Sequence, residues 1–265
     1  MKVVLFCGGL GTRMREYSQK LPKPLADVRQ RPILWYVMKY YAHFGHRDFV
    51  LCLGYKADLI RSYFEHHATG TPNPFVLSDA GGDVRLYGED IVDWNVTCVD
   101  TGINASIGDR LLSAEPHIGR DEMFMANYSD GVTDLHLPDL INYAQANKRI
   151  GTFMAVQPNH SFHTINMSPN GEVREITDLK GSGVYINGGY FVFKRDIFNY
   201  VGAGEELVGE PFERLIKQHQ LMAYRHHGYW ACMDTFKDKA QLEKMLDRGE
   251  ATWQVWDQPV LQHAA

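Results

Sequence analysis

An apolar run, Val3-Val4-Leu5-Phe6, leads directly into Cys7-Gly8-Gly9-Leu10-Gly11-Thr12-Arg13, and Pro22-Lys23-Pro24 follows. Glycines at the end of a strand let backbone N–H groups approach an anion with no side chain in the way. Arg13 adds a planar fork for phosphate oxygens, and Lys23, ten residues on, adds a compact second cation. These are the parts of phosphoryl or nucleotidyl transfer from a nucleoside triphosphate, where catalysis is largely positioning and neutralisation of charge. The spacing excludes two commoner phosphate loops. The third glycine falls two residues after the second, so no G-x-G-x-x-G can be read, and no G-x-x-x-x-G-K-[ST] occurs. A Rossmann-type oxidoreductase fails on that glycine spacing. The bland alternative, a plain turn after a strand, leaves the attached Thr12-Arg13 and the proline-flanked lysine without a purpose.

The elements that would position these residues read as α/β. Strand-length apolar runs at Val3 to Phe6, Phe49 to Leu53, Val96 to Val99 and Glu122 to Ala126 alternate with helical spacing at Ile33 to Phe44, Ala57 to His66 and Leu137 to Asn147. Such a sheet is mostly parallel and binds ligands outside the carboxyl ends of its strands, so Gly8, Gly54, Asp100 and Asp130 should line one rim. The later part has short strand candidates, Thr152 to Val156, Val173 to Ile176 and Gly189 to Phe193, with a turn at Pro169-Asn170-Gly171. That predicts a mixed or antiparallel, β-rich extension. Glu210-Pro211-Phe212 reads as the start of a helix. One domain over residues 1–256 is expected, with a nucleotide-binding half to about residue 150, an acceptor-binding half after it, and a loosely ordered tail over 257–265.

A net charge of -5 leaves no footprint for nucleic acid, so any phosphate-binding surface must be local. Cys7, Cys52, Cys98 and Cys232 stand singly in apolar contexts and read as buried, reduced thiols. No apolar run reaches membrane-spanning length, and the expected compartment is the cytoplasm. The pairs His66-His67 and His226-His227 point their rings apart on helix or strand, which argues against a structural zinc site.

These motifs resemble the sugar-1-phosphate nucleotidyltransferases, and within them the glucose-1-phosphate cytidylyltransferase group. The family opening G-G-x-G-T-R with its P-K-P segment is met by Gly8 to Arg13 and Pro22 to Pro24. Pro32-Ile33-Leu34-Trp35, Gly54-Tyr55-Lys56, Asp130-Gly131-Val132, Ile186-Asn187-Gly188-Gly189, His227-Gly228-Tyr229-Trp230 and Met233-Asp234-Thr235 follow in family order. Trp94 to Gly102 resembles the stretch that sets cytidylyltransferases apart from their relatives. The resemblance implies a Rossmann-like nucleotidyltransferase fold and Mg²⁺-dependent transfer of a cytidylyl group from CTP to a sugar 1-phosphate. It implies a homo-oligomer, with no nucleic acid or membrane partner. The open alternatives are use of dTTP or UTP, and a non-catalytic nucleotide-sugar-binding regulator. Joint retention of Arg13, Lys23, Asp130 and Asp234 speaks against the regulator.

By the same resemblance Gly8, Gly9, Gly11 and Thr12 would cradle the nucleotide, Arg13 would meet the β- and γ-phosphates, and Lys23 the α-phosphate. Thr101 and Gly102 would reach the pyrimidine. Arg110 stands near the nucleotide, although Asp109 replaces a family glycine before it, and a solvated helix-start charge is the alternative. Asp130 and Asp234 would hold Mg²⁺ on exposed turns; an Asp before Gly is otherwise an ordinary turn former. Asn187 and Gly188 would meet sugar hydroxyls, or else form a type I′ hairpin turn. Tyr229 and Trp230 would wall the acceptor pocket or pack as core. The acceptor half departs from the family in three places. Thr177-Asp178-Leu179-Lys180 stands for Glu-Lys-Pro, Ser161-Phe162-His163 for Arg-Phe-Gly, and Ser129 for a glycine. Lys180 and His163 are therefore expected to take over the acceptor phosphate, with glucose 1-phosphate a poor substrate or one dependent on Lys180.

Overall fold

The computed structural model describes residues 1–14, 19–29, 31–69, 83–88, 91–158, 162–179 and 182–257, with backbone alone over 65–69, 83–88 and 91–93. The strands are β1 (Val3–Phe6), β2 (Asp27–Val28), β3 (Arg31–Pro32), β4 (Asp48–Leu53), β5 (Asp83–Gly88), β6 (Ile91–Asp100), β7 (Met123–Asn127), β8 (Gly131–Thr133), β9 (Gly151–Val156), β10 (His163–Met167), β11 (Val173–Asp178), β12 (Ile186–Lys194), β13 (Leu221–His226) and β14 (Trp230–Cys232). The helices are α1 (Ile33–His43), α2 (Ala57–Thr69), α3 (Ile107–Ile118), α4 (Leu137–Asn147), α5 (Glu210–Lys217) and α6 (Phe236–Asp247).

The central sheet runs β13-β9-β12-β7-β1-β4-β6-β5. Pairing is parallel through β7-β1-β4-β6 and between β13 and β9, and antiparallel where β12 joins β7 and β9 and where β5 joins β6. The mixed, mostly parallel sheet expected from the alternation is thus present, with its antiparallel pairs chiefly in the later part. β1 is buried at every position, as a strand covered on both faces must be. Val3 and Leu5 join Leu51, Leu53 and the α1 residues Leu34, Val37 and Met38 on one face. Val4 and Phe6 join Val50, Cys52, Leu111 and Ala114 of α3 and Phe212 of α5 on the other. Each Val, Leu, Met or Phe side chain among them contributes about 1.5–3 kcal/mol by leaving water.

Three local features carry the chain to the rim. β12 runs antiparallel to β7 with Tyr190 opposite Asn127, which brings Asn187 to Gly189 beside the carboxyl end of β7. A register shift between Asn187 and Phe191 marks a bulge within one continuous strand, so the expected alternative of a hairpin turn at Asn187-Gly188 is replaced by strand irregularity. The β8–β14 ribbon sets Cys232 opposite Gly131, and Met233 N donates to Asp130 O at 2.9 Å. The β10–β11 ribbon turns at Asn170-Gly171, as its sequence predicts. Ser161, Lys180 and the tail over 258–265 lie outside the described residues.

Candidate active site

β1 ends at Phe6 and the chain turns through Gly11, whose φ of +60° puts it in the left-handed region natural to glycine. Met14 N then bonds Gly11 O at 3.0 Å, and the fully buried Met14 side chain anchors the short helical turn Thr12–Met14. Arg13, on that turn, is largely solvent-exposed at the mouth of the cleft. Gly9 is exposed, and Gly8 is buried. A Cβ on Gly8 would sit 1.8 Å from Arg110 Nη1, so a close side chain, as much as a ligand, demands glycine there. Pro22 and Pro24 flank Lys23 on a second helical turn and fix its backbone.

Lys23 Nζ lies 2.6 Å from Asp130 Oδ2 and 2.5 Å from Asp234 Oδ1, while Arg13 Nη1 donates to Asp234 Oδ2. Two cations and two carboxylates thus meet at one point. The aspartates are not the exposed turn residues expected: their side chains are only 22% and 25% exposed and face the cleft. Burial raises the Asp130 carboxyl pKa against the pull of Lys23. At Asp234 burial also pushes upward, but the Lys23 bond and charge outweigh it and the net shift is down. Burial works against the Lys23 ammonium, and the two carboxylates more than offset it, leaving its pKa raised.

Secondary structure aims both aspartates. Asp130 follows Ser129, a buried non-glycine residue at φ +67°, whose Oγ donates to Phe6 O at 2.8 Å and whose N–H donates to Asn127 Oδ1 at 2.7 Å. Asp234 precedes Thr235, the N-cap of α6, and its N–H donates to Asp238 Oδ2 at 3.1 Å beside the Thr235–Asp238 capping box. The Thr235-x-x-Asp238 spacing is the sequence signal for that turn.

Arg13, Thr12, Gly9, Gly11, Lys23, Asp130, Asp234, Asn187 and Gly188 all line one cleft of about 500 Å³. Tyr128, Ile186, Trp230 and Cys232 are among the other residues that line it, and of these four the sequence pointed only to Trp230 as wall. Asn187 Nδ2 donates to Tyr128 Oη at 3.2 Å, and Trp230 Nε1 donates to Gly188 O at 2.8 Å. Cys232 is part-exposed to this cleft, unlike the buried Cys7 and Cys52, and its thiol donates to Asp234 Oδ2 at 3.3 Å.

Four residues expected at the site, Arg110, Thr101, Tyr229 and His163, make their contacts elsewhere. Arg110 is neither a solvated charge nor open to a ligand. It is 2% exposed, and its guanidinium donates to Thr101 Oγ1 at 2.5 Å, Gly8 O at 3.1 Å, Leu53 O at 3.3 Å and Ile103 O at 3.4 Å. It pins the ends of β1, β4 and β6 together. Thr101 spends its own hydroxyl proton on Leu53 O at 2.6 Å, which leaves none for a base, while Gly102 remains exposed with φ +86°. Tyr229, just before β14, stacks on Trp253 at 5.3 Å, while Trp230, the first residue of β14, lines the cleft. His163 is exposed on the β10–β11 ribbon and is not among the residues lining the cleft. Asp109, the departure before Arg110, closes a capping box with Ser106 at the start of α3.

A profile of the nucleotidyl transferase family spans residues 2–242. A Salmonella typhi glucose-1-phosphate cytidylyltransferase is 35% identical over 259 residues, covering 97% of this chain and 100% of that relative. The chain belongs to the nucleotidyl transferase family. Solved structures agree on the fold of this transferase. A UDP-glucose pyrophosphorylase complexed with UDP-glucose superposes with TM-score 0.68 at 14% identity, over 94% of this chain and 98% of that one. HddC from Yersinia pseudotuberculosis gives 0.66 at 18%, over 92% and 99%. No group of three or more His, Cys, Asp or Glu suited to a metal occurs among the transferase's described residues, and none of its described helices is long and apolar enough to cross a membrane.

Proposed function

We propose that the chain transfers a cytidylyl group from CTP to a sugar 1-phosphate, glucose 1-phosphate by the likeness to the Salmonella typhi relative, releasing pyrophosphate. The observation that carries this reading is the convergence of Lys23, Arg13, Asp130 and Asp234 in a cleft that also holds the glycine loop and Asn187. An oxygen of the acceptor phosphate attacks the α-phosphorus; the bond from that phosphorus to the bridging oxygen of the β-phosphate breaks, and pyrophosphate leaves with the electron pair. No side-chain nucleophile is needed. Lys23 stabilises charge developing at the α-phosphate, and Arg13 holds the departing phosphates. Backbone N–H groups around Gly9 and Gly11 approach the triphosphate, and Gly102 offers open backbone to the pyrimidine. Asn187 and Gly188 orient the sugar against the Trp230 wall.

Asp130 and Asp234 suit Mg²⁺. Their carboxylate oxygens already converge on one cationic point, and that ion favours one or two carboxylates completed by substrate phosphates. When bound, the ion supplies charge neutralisation at the phosphates. The test is phosphorus NMR of the protein with CTP, Mg²⁺ and glucose 1-phosphate: a CDP-sugar and pyrophosphate in equal amounts are expected. CTP left intact with that acceptor and with other sugar 1-phosphates would contradict the reading.

A further inference from the structure

We propose that Lys23 is the resident counter-ion of the Asp130–Asp234 pair and keeps free divalent metal out until a nucleotide draws its ammonium away, so that metal and nucleotide enter together. The inference rests on the reading of the two aspartates as metal ligands. Nζ stands 2.6 Å from one carboxylate and 2.5 Å from the other, at the place between them where a cation gains most. Two cations cannot share it. The remaining carboxylate oxygen of Asp234 is also engaged, by Arg13 and by the Cys232 thiol. The lysine side chain is only 14% exposed, and its backbone is held between two prolines. A metal arriving alone must therefore expel an ammonium that is paired with both carboxylates and strand it in the cleft without an anion. A triphosphate reverses the balance, because its oxygens receive Lys23 and Arg13 and release both carboxylates. By linkage, nucleotide and metal then raise each other's affinity by the same factor.

Mn²⁺ serves as the probe, titrated calorimetrically into the full chain without acceptor and corrected for its binding to free CTP. Mn²⁺ alone should bind the wild type at least tenfold more weakly than it does with CTP present. Lys23→Met should bind Mn²⁺ alone at least tenfold more tightly than the wild type, and Lys23→Arg, which keeps a cation, should show no such gain. Adding Asp130→Asn to Lys23→Met should abolish the gain. Equal affinity of the wild type with and without CTP overturns the proposal, whatever the folding of the variants. So does equal affinity of the wild type and Lys23→Met; if Asp130→Asn then weakens both, the aspartates hold metal and Lys23 does not guard them. Mn²⁺ binding untouched by Asp130→Asn in every background, CTP included, removes the metal assignment itself and the inference with it.

Discussion

Removing the Lys23 ammonium takes away the cation at the phosphorus where bonds form and break. Lys23→Ala should therefore lower kcat by about a hundredfold or more, roughly 3–4 kcal/mol, and change KM for CTP far less. Steady-state pyrophosphate release measures both, and a raised KM with normal kcat would place Lys23 in ground-state binding. Ser129 poses a different question. It holds a left-handed backbone that costs about 1 kcal/mol or more for a non-glycine residue, and recovers part of it through its bond to Phe6 O. Ser129→Ala keeps the strain and loses the bond, while Ser129→Gly loses both. Urea unfolding should find Ser129→Ala the less stable of the two by about 1 kcal/mol. The reverse order would mean that the backbone there is unstrained.

At the scale of elements, Arg110 is the pin under the nucleotide loop. Its guanidinium has no carboxylate within 4 Å among the described residues and is satisfied by three backbone carbonyls and one hydroxyl. Arg110→Ala strips those acceptors of their donor inside the fold. It should cost about 2–4 kcal/mol in unfolding free energy and raise KM for CTP through a loosened loop, with kcat less affected. Unfolding and kinetics on the same variant separate the two effects.

Much of this framework was legible in the chain. Val3–Phe6 and Leu137–Asn147 fall where their periodicity puts them, since continuous apolar burial and a helical stripe each admit few alternatives. α3 was not legible: it contains Gly108 and Pro116, and it is held by the Ser106–Asp109 box and by packing on β4 and β1. Tyr229 and Trp230 are adjacent aromatics whose pattern cannot say which one faces the cleft; that is fixed by strand pairing with β8. The role of Arg110 depends on three strand ends far apart in sequence, and no local motif records it.

Across the whole molecule, His46 links stability to pH. It sits between α1 and β4, and burial depresses its pKa from 6.5 to about 4. The unfolded chain therefore binds a proton that the folded chain refuses. Stability should be unaffected by this residue above about pH 6.5 and should fall progressively from there to about pH 4. His46→Gln should gain stability relative to the wild type across that window, as read by urea midpoints at several pH values. A difference independent of pH would show that the imidazole titrates alike in both states.

The central claim is that this cleft moves a cytidylyl group, and pyrophosphate release measured across CTP, UTP, dTTP and ATP with glucose 1-phosphate and Mg²⁺ tests it most directly. A site that hydrogen-bonds the cytosine edge leaves a partner unpaired with uracil, so CTP should lead in kcat/KM by at least about tenfold. Asp130→Asn and Asp234→Asn should each abolish the CTP signal. Equal turnover of UTP or dTTP, or full CTP turnover in both aspartate variants, would contradict the account.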